Sequence, residues 1–174
     1  YGSNGNFHIV DDIGDLRPLD IHIQTNTTGS TAPTLSSAQA KFGTTSLRLN
    51  DNDGHAEFAQ PEWGDQFTIE FFFRADSIGG TQWMAGVWGG SGHGGFNWIV
   101  GLSGSNVKTY FFTTAGAYSL NNATIGTASA NTWHHVAITW DGSTYRTFLD
   151  GTAGASVSDS NKPAFDQWQT TWVG

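Results

Sequence analysis

The stretch Asp51-Asn52-Asp53-Gly54 places three oxygen-bearing side chains in consecutive positions, the hard ligands that calcium takes. Asp51, Asn52 and Asp53 are therefore the candidate metal ligands. The competing reading is a plain turn, because Asp, Asn and Gly together are what a tight connection between strands requires. The longer EF-hand loop pattern is absent, and the turn reading outweighs the metal one. Nothing else in the sequence requires a cofactor, so calcium is the one candidate. A second centre is the segment 83–98, where Trp88, His93, Phe96, Asn97 and Trp98 surround the glycine-rich stretch 89–95. Saccharides stack on aromatic faces and hydrogen-bond to Asn and His, which makes these five residues candidate glycan contacts. Against them stands the ordinary use of aromatics in a β-protein, which is to fill the core. Nucleophilic catalysis finds no frame: the chain has no Cys and no Gly-x-Ser-x-Gly elbow. His134 and His135 are adjacent on an expected strand, so they point to opposite faces and cannot share one metal.

Strands must position these residues. Segment 131–151 holds two strand-like runs joined by Asp141-Gly142, and a second pair, Asp150-Gly151, turns the chain into a third run. Leu19, Ile21 and Ile23 alternate with polar residues, as in a half-buried strand. In segment 66–74, Phe67, Ile69, Phe71 and Phe73 share one face, and Phe72 sits between charges on the other. Further strands are expected over 45–49, 55–60, 82–88, 96–102, 107–113 and 168–173, with a looser region from 114 to 130. No stretch keeps a 3.6-residue period. Roughly ten to twelve short strands at this spacing predict a sandwich or barrel. Residues 1–18 read as an arm or linker, with 7–10 a strand candidate, and residues 19–174 as one domain.

Charged residues make up 13% of the chain, against about 25% in typical soluble domains. The net charge is −8, and the seven basic residues are scattered singly. That argues against nucleic acid and anionic membranes, which need clustered Lys or Arg. No apolar run approaches a membrane span, so no membrane insertion is expected. Starting at Tyr1 with its single Met internal, the chain reads as a piece of something longer. A surface of neutral polar residues and glycine suits an extracellular location.

Three segments taken in order resemble the concanavalin A-like, laminin-G-like jelly-roll superfamily, which includes pentraxins. They are KFGTTSLRL at 41–49 leading to Asp51-Asn52-Asp53-Gly54, the run 67–77, and Trp133-His134-His135-Val136-Ala137 through Leu149-Asp150-Gly151. The similarity spans roughly residues 19–174. It implies an all-β fold, a two-sheet antiparallel jelly-roll sandwich, with His135 a core-packing residue and His134 on the other face. It also implies a rim position for calcium in some members. The Cys-free, Gly- and Thr-rich texture is similar to modules of phage tail, capsid and bacterial surface proteins. Such domains usually run on past a Val-Gly step into a strand that pairs with the first. Here Val173-Gly174 is the last pair, so the domain is expected to lack its last strand, with segment 7–10 or a neighbouring chain completing the edge.

The superfamily includes glycoside hydrolases, whose two carboxylates lie about 5 Å apart in the retaining enzymes. Sandwich hydrolases mount them at alternating positions of one strand, and no Glu-x-Asp-x-Glu spacing exists here. Glu70 stands among aromatics, Asp76 lies past the strand, and Pro61 separates Glu57 from Glu62. The reading is a non-catalytic module of a larger extracellular or virion-surface assembly, contacting neighbouring subunits and binding surface glycans. A stand-alone lectin-like domain is the alternative, and a glycoside hydrolase a distant third.

Overall fold

The computed structural model describes residues 22–25, 31–49, 54–59, 63–88, 96–164 and 170–174, with residues 22–25, Trp88 and Phe96 described by their backbone. All regular structure among them is strand: β1 (His22–Thr25), β2 (Thr34–Ser36), β3 (Ser46–Arg48), β4 (Gly54–Ala59), β5 (Phe67–Phe73), β6 (Thr81–Trp88), β7 (Phe96–Ser103), β8 (Asn106–Phe112), β9 (Tyr118–Thr127), β10 (His134–Trp140), β11 (Thr144–Leu149), β12 (Thr152–Ser158) and β13 (Thr170–Val173). A seven-stranded sheet runs β1-β4-β13-β6-β7-β8-β9, a four-stranded sheet runs β12-β11-β10-β5, and β2 pairs with β3. All pairings are antiparallel. This is the all-β jelly-roll sandwich that the sequence predicts.

Alternation decides which side of each strand is buried. Val136, Ile138 and Trp140 of β10 meet Trp98, Val100 and Leu102 of β7 and Val107 and Phe111 of β8 in one core. Fully burying one such side chain stabilises the fold by about 1.5–3 kcal/mol. The polar tips of core aromatics find partners: Trp140 Nε1 donates to the Asp159 carbonyl at 2.9 Å and the Tyr145 hydroxyl to that of Asn161 at 2.8 Å. Burial, with the nearby Asp159 charge, raises the Tyr145 phenol well above its ordinary value.

The two Asp-Gly pairs do different jobs. Asp150 and Gly151 both take positive φ, 51° and 78°, the requirement of a two-residue hairpin turn that follows the strand twist. At the other pair only Gly142 is left-handed, with φ 90°. There the Asp141 carboxylate closes the turn by accepting the Ser143 and Thr144 backbone N–H groups, each at 2.9 Å.

Three expectations need revision. The region expected to be loose, 114–130, contains β9, ten residues long. Its ladder to β8 is interrupted by three register shifts, and Asn122 has φ 52°; such bulges hide the period of two that marks a strand. The Thr- and Ser-rich residues 26–39, whose composition reads as a loop, contain β2. His134, not His135, faces inward: it is buried and pairs across the sheet with Phe73, whereas His135 lies outside beside Phe72 and Glu70.

β13 forms with a position of its own, between β4 and β6 in the middle of the larger sheet. Among the described residues β1 is an edge strand, laddered to β4. Segment 7–10 lies outside the described residues.

Candidate functional site

The outward face of the seven-stranded sheet is assembled by register. Glu57 lies opposite Trp172, Trp172 opposite Gly86, Gly86 opposite Ile99 and Ile99 opposite Tyr110. Directly opposed residues share a face. Their sequence neighbours Ala85, Val100 and Val173 belong to the core, so this row points away from it.

Glycine shapes the floor of this face. A Cβ on Gly86 would stand 3.0 Å from Ile99 Cγ1, and Ile99 fills that space. One on Gly101 would stand 2.5 Å from Trp83 Cε3, because the Trp83 ring lies over the bare backbone there. Trp83 continues edge-to-face into Tyr110 at 6.1 Å, and Tyr110 into Tyr118 at 5.9 Å. Trp83, Tyr110, Tyr118 and Trp172 are each half-buried, so they offer ring surface to a ligand while held in place.

Polar groups border the rings. Thr170 donates its hydroxyl to Glu57 Oε2 at 3.2 Å, and His55 Nε2 lies 3.8 Å from the same oxygen. Lys108 Nζ reaches Thr124 Oγ1 at 2.8 Å and the Asn122 carbonyl at 3.3 Å. Glu57 is the only carboxylate on the described strands of this sheet. A glycosidase needs a second one, about 5 Å away for retention or about 6.5–9.5 Å for inversion. The arrangement can stack a flat apolar face and exchange hydrogen bonds at its margins.

The residues singled out from sequence fall elsewhere. Trp98 points into the core, 4% exposed, against Trp63 at 6.4 Å and Phe111 at 6.0 Å. Asn97 points the other way and is fully buried. Neither presents a side chain to solvent. Trp88 and Phe96 oppose each other across β6 and β7. His93 lies outside the described residues, as do Asp51, Asn52 and Asp53. Among the described residues, no three His, Asp or Glu side chains gather as a metal site.

Sequence reasoning missed Tyr110, Tyr118 and Trp172 and left Trp83 uncommitted. Trp83 and Ala85 have the same parity, yet a register shift between them sends one ring outward and the other side chain into the core. The alternation of Lys108, Tyr110 and Phe112 against Val107, Thr109 and Phe111 was the one legible signal.

A laminin-G family model of the concanavalin A-like lectin/glucanases superfamily matches residues 50–174. The chain belongs to this superfamily. No curated protein matches it. Among solved structures, domain 4 of a GH43 extracellular arabinanase from Geobacillus stearothermophilus, in complex with arabinotriose, is similar with a TM-score of 0.64 at 14% identity, over 94% of this chain and 76% of that one. The binding domain of botulinum neurotoxin DC in complex with SialylT gives 0.60 at 13% identity, over 90% of this chain and 38% of that one. A carbohydrate esterase from Shiga toxin-encoding bacteriophage phi24B gives 0.55 at 14%, over 87% and 80%. At such identities these solved structures share a fold with this chain, and the chain spans 38% of the neurotoxin chain it matches.

Proposed function

We propose that this superfamily member is a non-catalytic carbohydrate-binding module of a larger extracellular assembly, and that it binds glycan on the outward face of the seven-stranded sheet. The observation that carries the reading is the aromatic floor of Trp172, Trp83, Tyr110 and Tyr118. From β13 to β8 is three strand spacings, about 14 Å, a span that suits several linked sugar rings. Glu57, His55 and Lys108 supply acceptors and donors for ring hydroxyls at the margins. With a net charge of −8, the module favours neutral glycans over polyanionic ones. The solved relatives bound to arabinotriose and to SialylT support the same reading. The single carboxylate on the described strands of this sheet supports binding without hydrolysis. The low charge of the chain agrees with a cell- or virion-surface setting.

A glycan array followed by titration calorimetry tests the proposal. At least one neutral oligosaccharide should bind, and Trp83→Ala and Trp172→Ala should each weaken it by tenfold or more, about 1.4 kcal/mol. Absence of binding to every saccharide at millimolar concentration would defeat the reading.

A further inference from the structure

The outward face of the larger sheet carries one cation that the described residues do not neutralise. Lys108 lies directly opposite Gly101 of β7, and Gly101 opposite Trp83 of β6. On its other side Lys108 is in register with Thr124 of β9. Opposed residues share a face, so Lys108 stands beside Trp83 with only a residue lacking a side chain between them. Tyr110 is two positions further along β8 on the same face, about 7 Å away.

Every other basic residue among the described ones has its charge occupied. Arg48 and Arg74 meet Asp76, Arg146 meets Asp141 and Lys162 meets Asp65. Lys41 stands over the Phe72 ring, 5.2 Å from its centroid. Lys108 is half-buried and donates only to neutral oxygens, Thr124 Oγ1 and the Asn122 carbonyl. An ammonium has three donors, so one remains for a ligand. Glu57, the only carboxylate on the described strands of this sheet, lies on β4. That is four strand spacings from β8, about 19 Å, and salt screens charges beyond about 8 Å. Glu57 therefore does not offset Lys108. A purely structural pin across the bulge at Asn122 would need donors but no charge, since both acceptors are neutral.

We propose that Lys108 is a specificity-determining residue, and that the glycan on this face carries a single sugar carboxylate. The inference rests on the glycan-binding reading and adds the charge of the ligand to it. A sugar stacked on Trp83 and Tyr110 brings a ring carboxylate over Gly101, where the free donor of Lys108 can reach it. The two neutral acceptors already hold the ammonium in place, so little side-chain freedom is lost on binding. β9 is the last strand of this sheet among the described residues, and Lys108 leans on it. The acidic sugar is therefore terminal, at the end of the chain nearest β9. One carboxylate suits the site and many do not, because a net charge of −8 repels a polyanion. A hexuronic acid and a sialic acid present the same acceptor to Lys108.

The probes are neutral trisaccharides of glucose, galactose and mannose, each beside its counterpart with the terminal primary alcohol oxidised to a carboxylate. Lactose beside sialyllactose is the second arm. In at least one arm the acidic member should bind about fivefold tighter at low salt, the scale of a partly exposed ion pair. A gain in the first arm identifies a hexuronic acid, and a gain in the second a sialic acid. The advantage should vanish at 1 M salt, where screening acts within about 3 Å. Lys108→Arg should keep most of it. Lys108→Gln, which can still donate to Thr124, should bring the acid-to-neutral ratio to about one. Equal binding of acidic and neutral partners overturns the inference and leaves the glycan reading standing. A preference that survives in Lys108→Gln or in 1 M salt assigns the carboxylate to another group and overturns it too. No binding in either arm also overturns it, while the wider glycan array decides the reading beneath. Where Lys108→Gln fails to fold, the salt series on the unaltered protein is the test.

Discussion

His134 Nδ1 lies 2.7 Å from Asp150 Oδ2, a histidine–carboxylate pair at the distance found in hydrolytic triads. Its other nitrogen accepts the Ser129 backbone N–H at 3.0 Å. The proton therefore sits on Nδ1, and no lone pair is left to activate a nucleophile. The same carboxylate accepts the His135 N–H at 2.8 Å, and the Asp150 N–H donates to the His135 carbonyl at 2.8 Å. The pair is a clamp on the second hairpin. His134→Ala should cost about 1–3 kcal/mol in urea unfolding, the loss for buried hydrogen-bond partners left unmade. Asp150→Asn keeps the left-handed turn, which Asn tolerates, and should cost less. An unchanged midpoint in both variants would contradict the clamp.

Acid should weaken the fold through the same residue. Burial pushes the Asp150 carboxyl upward, but hydrogen bonds from His134 and His135 outweigh it, and the net shift is downward. Asp159 behaves likewise: burial raises it, and Ser119 and Asn161 lower it further than that. A depressed carboxylate contributes stability that is complete above the ordinary Asp range and is lost as pH falls through the folded value. Melting temperature should be flat from neutrality down to about pH 5 and fall below about pH 4. The fall should be shallower in Asp150→Asn and Asp159→Asn than in the unaltered protein. Identical acid limbs in all three would refute the assignment.

What was legible in the sequence was local. The stretch 131–151 reads as hairpins because turn residues and alternation lie within a few positions of each other. The inward face of His134 was also legible, since it shares parity with the buried Val136, Ile138 and Trp140; the resemblance to known families pointed to His135 instead. The aromatic floor was not legible. Trp172, Trp83 and Tyr110 lie on three strands and meet only through inter-strand register. Register depends on which faces are buried in the finished sandwich. A single shift beside Met84 was enough to reverse the face of Trp83.

Two glycines should lose stability alike and differ in binding. A Cβ at Gly86 would lie 2.6 Å from the Trp98 carbonyl oxygen, which is backbone and cannot swing aside. Gly86→Ala should therefore destabilise by about 1–3 kcal/mol through overpacking. Gly101→Ala meets the Trp83 ring at 2.5 Å and the Gln82 carbonyl oxygen at 2.6 Å. It should destabilise to a similar degree and in addition lower glycan affinity and shift tryptophan fluorescence. Gly104, with φ 60° and open space around it, is the control: Gly104→Ala should cost about 1 kcal/mol and leave affinity unchanged. Equal affinity in all three would detach Trp83 from the site.

Calcium at Asp51, Asn52 and Asp53 is testable without reference to glycan. A bound ion at a hundredfold excess over its dissociation constant stabilises a fold by about 2.7 kcal/mol, or about 5–10 °C in a domain of this size. On the turn reading, EDTA and millimolar calcium should each leave the melting temperature within about 1 °C. A rise of several degrees with calcium, reversed by EDTA, would instead make the segment a metal site.

Trp98 and Trp83 make opposite predictions from the same residue type. Trp98 packs between Trp63 and Phe111, and its indole N–H has no hydrogen-bond partner among the described residues. Trp98→Ala should cost about 3–5 kcal/mol by leaving a cavity. Trp98→Phe gives up no hydrogen bond and should cost less than about 1.5 kcal/mol. Folded Trp98→Phe protein should bind glycan as the unaltered protein does. Trp83→Ala removes a half-buried ring on the outward face and should do the reverse, with a modest stability loss and at least tenfold weaker binding. Calorimetric titration beside urea unfolding on the three variants separates the cases. Weaker glycan binding by stable Trp98→Phe protein, with Trp83→Ala unaffected, would move the site off the outward face.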